Sequence, residues 1–191
     1  MGEKGNQTKE LIKKAAYRLF ADKGFKEVTM KDICQQTGLS RGGLYRHYGS
    51  TAVIFEELFR EMSENSIDEF ERQMSEQIPA SVILKEILSI LREDIQDANN
   101  SMSLAIYEYS NAVSSSLFTE LNEAGIEKWK RFLAYGIKRR EFREMDIAQA
   151  VDMILYSYQG ARMWSRVIPL KEETADHVIN AIKEMLIGGN L

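Results

Sequence analysis

The stretch from Thr29 to Tyr48, TMKDICQQTGLSRGGLYRHY, constrains this chain more than any other. It reads as two short helices joined by a tight turn. Thr29 can cap the first, with Asp32 three residues on completing a capping box. Ile33 and Cys34 supply that helix's buried side. Gly38 fits the left-handed position that ends a helix, where a side chain would be strained. Ser40 can cap the second helix. Leu44 and Tyr48 are four apart and share one face. Arg41, Gly42, Tyr45 and Arg46 point elsewhere, Tyr45 by about 100°. Residues 40–48 therefore read as a rod with a core face and an exposed face rich in Arg and aromatic groups. Such a helix-turn-helix unit lays its second helix in the DNA major groove.

Net charge of −4 argues against a polyanionic partner, but its distribution argues the other way. Residues 1–50 carry ten Lys and Arg against five Asp and Glu, whereas residues 51–191 carry 15 against 24. A basic head on an acidic body puts the docking surface for double-stranded DNA on the head. No apolar run of about 18 residues is present, so no membrane span is expected. The N-terminal residues lack the apolar stretch of a secretory signal, and one cysteine allows no internal disulfide. These features predict a cytoplasmic location.

Nearly every segment has helical period and none shows clear strand alternation, which predicts an all-α fold of about nine helices. The first runs from about Thr8 to Lys23 on a stripe of Leu11, Ile12, Ala15, Ala16, Leu19 and Phe20, and Gly24 stops it. After the helix-turn-helix pair, Ser50 caps a long fourth helix carrying Ile54, Phe55, Leu58, Phe59 and Met62. Its thinly apolar distal part reads as a connector. Pro79 suits the first turn of a fifth helix. Asn99-Asn100 breaks the pattern before a short sixth helix, Met102 to Tyr109. A seventh spans about Ser116 to Arg139, Asp146 caps an eighth that Pro169 ends, and a ninth runs from about Glu172 to Leu186. The expected organisation is a DNA-binding domain at residues 1–50 and a larger effector-binding and dimerisation domain at residues 51–191.

The helix ending in LFADKGF, the capped VTMKDI, the turn QTGLS and the segment GGLYRHY together resemble the TetR family of bacterial transcriptional regulators. The likeness is close over residues 8–60 and weaker beyond, where only helix number and length agree. It implies a homodimer that binds a roughly palindromic operator and is released by a small molecule held in the body. Position by position, it makes Thr29 a phosphate contact with Lys31 beside it. Arg41, Gly42, Gly43, Tyr45 and Arg46 fall on the groove side, behind the capping Ser40, and Tyr45 and His47 match positions that bind phosphate. Many relatives carry a Lys at the start of the fourth helix, where this chain has Thr51. A hydroxyl brings no charge, so the salt dependence of binding should fall by about one phosphate's share.

Among the head residues, Arg41 is the candidate base reader, because a guanidinium can bond guanine O6 and N7 together, worth about 1–3 kcal/mol of discrimination. The alternative is a solvated or phosphate-bound Arg. Gly42-Gly43 costs about 1 kcal/mol per Gly relative to Ala inside a helix. Bare backbone there would let the helix lie deep in the groove. Cys34 reads as a small buried apolar side chain rather than a redox sensor. In the body, Tyr107, Trp129, Phe132, Tyr156, Gln159 and Trp164 are candidates for an effector pocket suited to a hydrophobic or cationic aromatic ligand. Ile154, Tyr158, Ala161, Val178, Ile182, Met185 and Leu186 of the last two helices are candidates for a two-fold interface. The basic cluster Lys138, Arg139, Arg140 and Arg143 reads as solvated cations at a helix C-terminus. Only His47 and His177 accompany the single Cys, with no triad, metal spacing or phosphate loop, so no enzyme activity, metal or cofactor is expected. A DNA-binding regulator without a small-molecule effector, controlled by a protein or acting as an activator, is the competing reading.

Overall fold

The computed structural model describes residues 3–97, 101–113 and 116–188. The helices are α1 (Glu3–Lys23), α2 (Met30–Thr37), α3 (Arg41–Tyr45), α4 (Thr51–Ser75), α5 (Ala80–Gln96), α6 (Ser103–Ala112), α7 (Leu117–Lys138), α8 (Ile147–Ser165) and α9 (Glu172–Ile187). No strand occurs among the described residues, and the fold is all-α. The expected break at Asn99-Asn100 lies outside the described residues. Differences from the periodicity reading are at helix ends. α1 starts earlier than Thr8, and α3 is shorter than residues 40–48. α8 ends at Ser165, ahead of Pro169, in turns that carry the Arg166 N–H to Met163 O and the Val167 N–H to Trp164 O.

By compactness the chain divides into Met1–Met62 with Asn99–Phe118, and Ser63–Ala98 with Thr119–Leu191. The expected boundary at residue 50 falls within the first unit, because the start of α4 and the whole of α6 share its core. Ile12, Ala16, Phe20, Ile33, Leu44, Ile54 and Phe55 are fully buried there. Phe55 stacks on Tyr109 of α6 at 4.7 Å, and Phe20 meets Phe55 edge-on at 5.2 Å. The Tyr109 hydroxyl donates to Glu56 of α4. Glu108 accepts the Lys26 N–H at 2.9 Å and lies against Gly24, whose φ of +79° ends α1. Two expected core residues face out instead: Leu11 is 47% exposed and Met62 41%. The inward line of α1 is Ile12, Ala16 and Phe20, and Leu11 sits about 100° from it.

The second unit is a helical core built from Ile83, Leu84, Leu88 and Ile95 of α5, Trp129, Phe132 and Leu133 of α7, Val151 and Ile154 of α8, and Ile182 and Leu186 of α9. Gly136 lets the Phe142 ring lie directly on α7, where a Cβ would overlap it. The turn after α7 is made by Arg140 at φ 61°, and it brings Glu141 to the start of α5. Pro79 occupies the cap position of α5 rather than its first turn and offers no side-chain bond. Glu141 replaces that bond, accepting both the N–H and the hydroxyl of Ser81 at 2.8 Å. Burial pushes the Glu141 carboxyl up, but Arg139 and the Ser81 donors outweigh it and pull the pKa down to about 2. Arg143 serves the other polarity: its side chain donates to Met185 O at 2.6 Å, at the carboxyl end of α9.

The Glu141 cap generates a pH-dependent expectation. Its folded pKa lies below the ordinary carboxylate value of 4.5, so its contribution is complete above that pH and is lost as pH falls towards 2. Glu141→Gln should lower stability near pH 7 by about 1–2 kcal/mol, the usual value of a helix cap. Urea denaturation of both proteins should show this gap closing between about pH 4.5 and 2.

Candidate nucleic-acid interface

The local chemistry of residues 29–48 folds as its capping signals require. The Asp32 N–H donates to Thr29 Oγ1 at 3.3 Å, and the Thr29 N–H donates back to Asp32 at 2.9 Å. The Thr29 hydroxyl also donates to Asp32, at 2.5 Å. Both the hydroxyl and the backbone N–H of Thr29 are thus engaged in the cap. The Thr29 bonds draw the Asp32 carboxyl below its ordinary range. Gly38 closes α2 at φ 72°, with its N–H on Cys34 O at 2.9 Å. Ser40 then caps α3 through the Gly43 N–H at 3.1 Å.

α3 holds one regular turn and continues as tighter turns. The His47 and Tyr48 N–H groups both reach Leu44 O, at 2.9 and 3.0 Å. Leu44 is 0% and Tyr48 1% exposed, and both belong to the first unit's core. Arg41, Gly42 and Arg46 are exposed, as is Tyr45 at 52%. His47 is half-buried, and its Nδ1 has no hydrogen-bond partner among the described residues. Lys31 is exposed on the first turn of α2, and Thr51 is partly exposed at the start of α4, where Ser50 caps through the Val53 N–H at 3.3 Å.

The two central glycines differ. A Cβ on Gly42 would meet nothing within 4 Å, whereas one on Gly43 would come to 3.2 Å from the capping Ser40 Oγ. Gly43 serves the cap, and Gly42 leaves open space on the exposed side. Periodicity carries no sign of the ties that hold α3 in place. The Tyr48 hydroxyl donates to Glu57 at 3.0 Å, and Lys9 pairs with the same carboxylate at 3.0 Å while lying 5.1 Å from the Tyr48 ring centre. Burial first, and Glu57 second, push the Tyr48 hydroxyl well above the usual phenol range, which keeps it a donor.

The six effector candidates are divided between the two units. Tyr107 belongs to the first unit and is 58% exposed, while the other five belong to the second. Trp129 and Phe132 are packed core, 5.7 and 5.3 Å from the Phe70 ring. Tyr156, Gln159 and Trp164 are exposed on α8, with Tyr156 at 72%. Among the interface candidates, Ile154, Tyr158, Ile182 and Leu186 face the second unit's own core, and Tyr158 donates to Asp94 at 2.5 Å. Ala161, Val178 and Met185 are half-buried at its edge. Outward on the same helices lies a shallow apolar groove of about 280 Å³, bordered by Met153, Ser157, His177, Val178, Ala181 and Met185.

Among the described residues, no group of three or more His, Cys, Asp or Glu side chains could hold a metal, and no helix is long and apolar enough to cross a membrane.

Comparison with known proteins agrees with the helix-turn-helix geometry. The family model for bacterial regulatory proteins of the tetR family matches residues 12–58. The chain is 30% identical over 140 residues to the HTH-type transcriptional regulator YfiR of Bacillus subtilis, covering 69% of this chain and 66% of that one. It is 26% identical over 192 residues to the HTH-type transcriptional repressor KstR2 of Rhodococcus jostii, covering 98% and 92%. The structure of the regulator FadR from Bacillus subtilis, solved with stearoyl-CoA, superimposes with a TM-score of 0.71 over 95% of this chain and 99% of that one, at 19% identity. With its capped α2, left-handed Gly38 and outward-facing α3, this chain belongs to the TetR family of bacterial transcriptional regulators.

Proposed function

We propose that this protein is a ligand-responsive repressor that binds a roughly palindromic DNA operator as a homodimer and leaves it when a small molecule binds the body, residues 51–191. The observation that carries the DNA-binding part is the division of residues 40–48. Leu44 and Tyr48 are sunk in the core, while Arg41, Gly42, Tyr45 and Arg46 stand in solvent. Arg41 reads a base, Tyr45, Arg46 and His47 hold phosphates, and Lys31 and Thr51 flank the groove. The repressor part is supported by the likeness to KstR2, named a repressor, and the effector part by the FadR structure with its bound stearoyl-CoA.

Half-sites about one helical turn apart require two heads. The pairing surface we favour is the outward side of α8 and α9, because the inward candidates are already used by the second unit's core. Met153, Ala181 and Met185 border an apolar groove there, and Tyr156 and Trp164 are exposed on α8. Release acts through α4, whose residues belong to both compact units. The ligand must bind the DNA-free arrangement more tightly, since equal affinity for both would shift nothing.

Operators recovered by selection from random duplexes allow three checks. Arg41→Ala should relax discrimination at one position per half-site by roughly tenfold, within the 1–3 kcal/mol of a bidentate contact; uniform weakening across all sequences would reassign Arg41 to phosphate. Gly42→Ala should raise the thermal midpoint of the free protein, since helix propensity improves by up to about 1 kcal/mol and the methyl has room. The same variant should lose operator affinity in fluorescence anisotropy; unchanged affinity would remove the deep-groove role. Ala181→Glu should convert a dimer to a monomer in sedimentation and abolish tight operator binding, and an intact dimer would move the interface elsewhere.

A further inference from the structure

Lys128 is a cation that neither the core nor the DNA-binding face explains. Its side chain crosses from α7 to α4, where Nζ donates to Ser66 Oγ at 2.9 Å and stands 4.5 Å from the centre of the Phe70 ring. Neither partner carries a charge. The flanking acids are engaged with other cations: Glu127 with Lys130 at 2.7 Å, Glu71 with Arg131 at 2.7 Å, and Glu69 with Arg72 at 2.6 Å. No ion pair to Lys128 occurs among the described residues, and burial pulls its amine down to about 8.

The same chain treats the buried amine of Lys13 differently from the half-buried one of Lys128. Lys13 Nζ lies 2.6 Å from Glu10 and 2.5 Å from Glu61, and these carboxylates outweigh burial and raise its pKa. A desolvated ammonium without such partners is costly to keep. The surface of α7 beside Lys128 is open. Gly125 lies one turn earlier on the same side of α7, and a Cβ there would meet nothing within 4 Å. The ammonium has three donors, of which Ser66 takes one.

We propose that Lys128 anchors the acid group of the effector, and that this effector is an apolar monocarboxylic acid. Its carboxylate pairs with Nζ in the space beside Gly125 and Ser66, and its hydrocarbon part lies against Phe70. One ammonium and one hydroxyl balance one negative charge. A dianion would bring more charge than Nζ can balance, since Arg131 on the next turn of α7 is already paired with Glu71 at 2.7 Å, a neutral ligand would leave the ammonium without a charged partner, and a cation would be repelled. This inference rests on the effector reading above and narrows its chemistry away from cationic aromatic ligands.

The test is calorimetric titration of the full chain with straight-chain carboxylates from hexanoate to hexadecanoate and with 2-naphthoate, each compared with its matched alcohol and trimethylammonium analogue. At least one carboxylate should bind at least tenfold more tightly than its analogues. Lys128→Met should lose that preference while binding the alcohol as before, and it should melt no lower than the parent, because a half-buried charge without a charged partner has been replaced by an apolar chain of similar length. Should Lys128→Met not fold, Lys128→Gln and the titration of the ¹³C-methylated Lys128 amine answer the same question, since a bound carboxylate must raise that amine's pKa. Binding of no carboxylate, tighter binding of the ammonium analogue, or an unchanged preference in the Lys128 variants overturns the proposal. Operator titrations separate it from the release reading. A carboxylate that binds through Lys128 without changing operator affinity defeats ligand release and leaves the anchor standing; release by a ligand indifferent to Lys128 does the reverse.

Discussion

Burial of Leu44 and Tyr48 is the constraint on which the DNA-facing surface depends. A helix as short as α3 is not stable by itself, since nucleation is unfavourable and so few bonds follow it. It persists because its inward side chains complete the first unit's core, where truncating a buried Leu costs about 2–5 kcal/mol. The Tyr48–Glu57–Lys9 chain fixes the rotation of that short element. Burial inside thus dictates which side chains stand outside, and Arg41, Tyr45 and Arg46 are exposed as a consequence rather than as independent choices.

Charge is handled by two different routes in this molecule. Several ionic groups are satisfied by a helix end or by an opposite charge. Glu141 lies at the amino end of α5, Arg143 at the carboxyl end of α9, and Arg92 pairs with Asp176 at 2.5 Å. Lys13 follows the same pattern inside the first unit. Lys128 departs from it, with a hydroxyl and a ring where the others have carboxylates. The proposed external carboxylate would give Lys128 the kind of partner that Lys13 already has.

α8 and α9 show how far composition misleads about direction. Both helices are rich in apolar residues, and the strongest among them, Ile154, Ile182 and Leu186, are consumed by the second unit's own core. What remains outside is weaker in periodicity but large in area: Met153, Tyr156 and Trp164, each more than half exposed. A similar inversion affects the aromatic set in the body. Trp129 and Phe132 are filled-in core with Phe70 and Phe142, and Tyr107 belongs to the other unit.

Local chemistry makes the helix-turn-helix legible from the order of residues alone. Capping by Thr29 and Ser40, the left-handed Gly38, and the four-residue spacing of Leu44 and Tyr48 act over a few residues, so they can be read along the chain. The same holds for most helix positions, because a 3.6-residue period is written in neighbouring residues. Partnerships across long separations have no such imprint. That Glu141 caps a helix starting 61 residues earlier, that Tyr109 bonds Glu56, and that Lys128 meets Ser66 and Phe70 are outcomes of packing between helices. Which apolar stripe of α8 faces inward is likewise settled by competition among helices for one core, a contest that no single segment records.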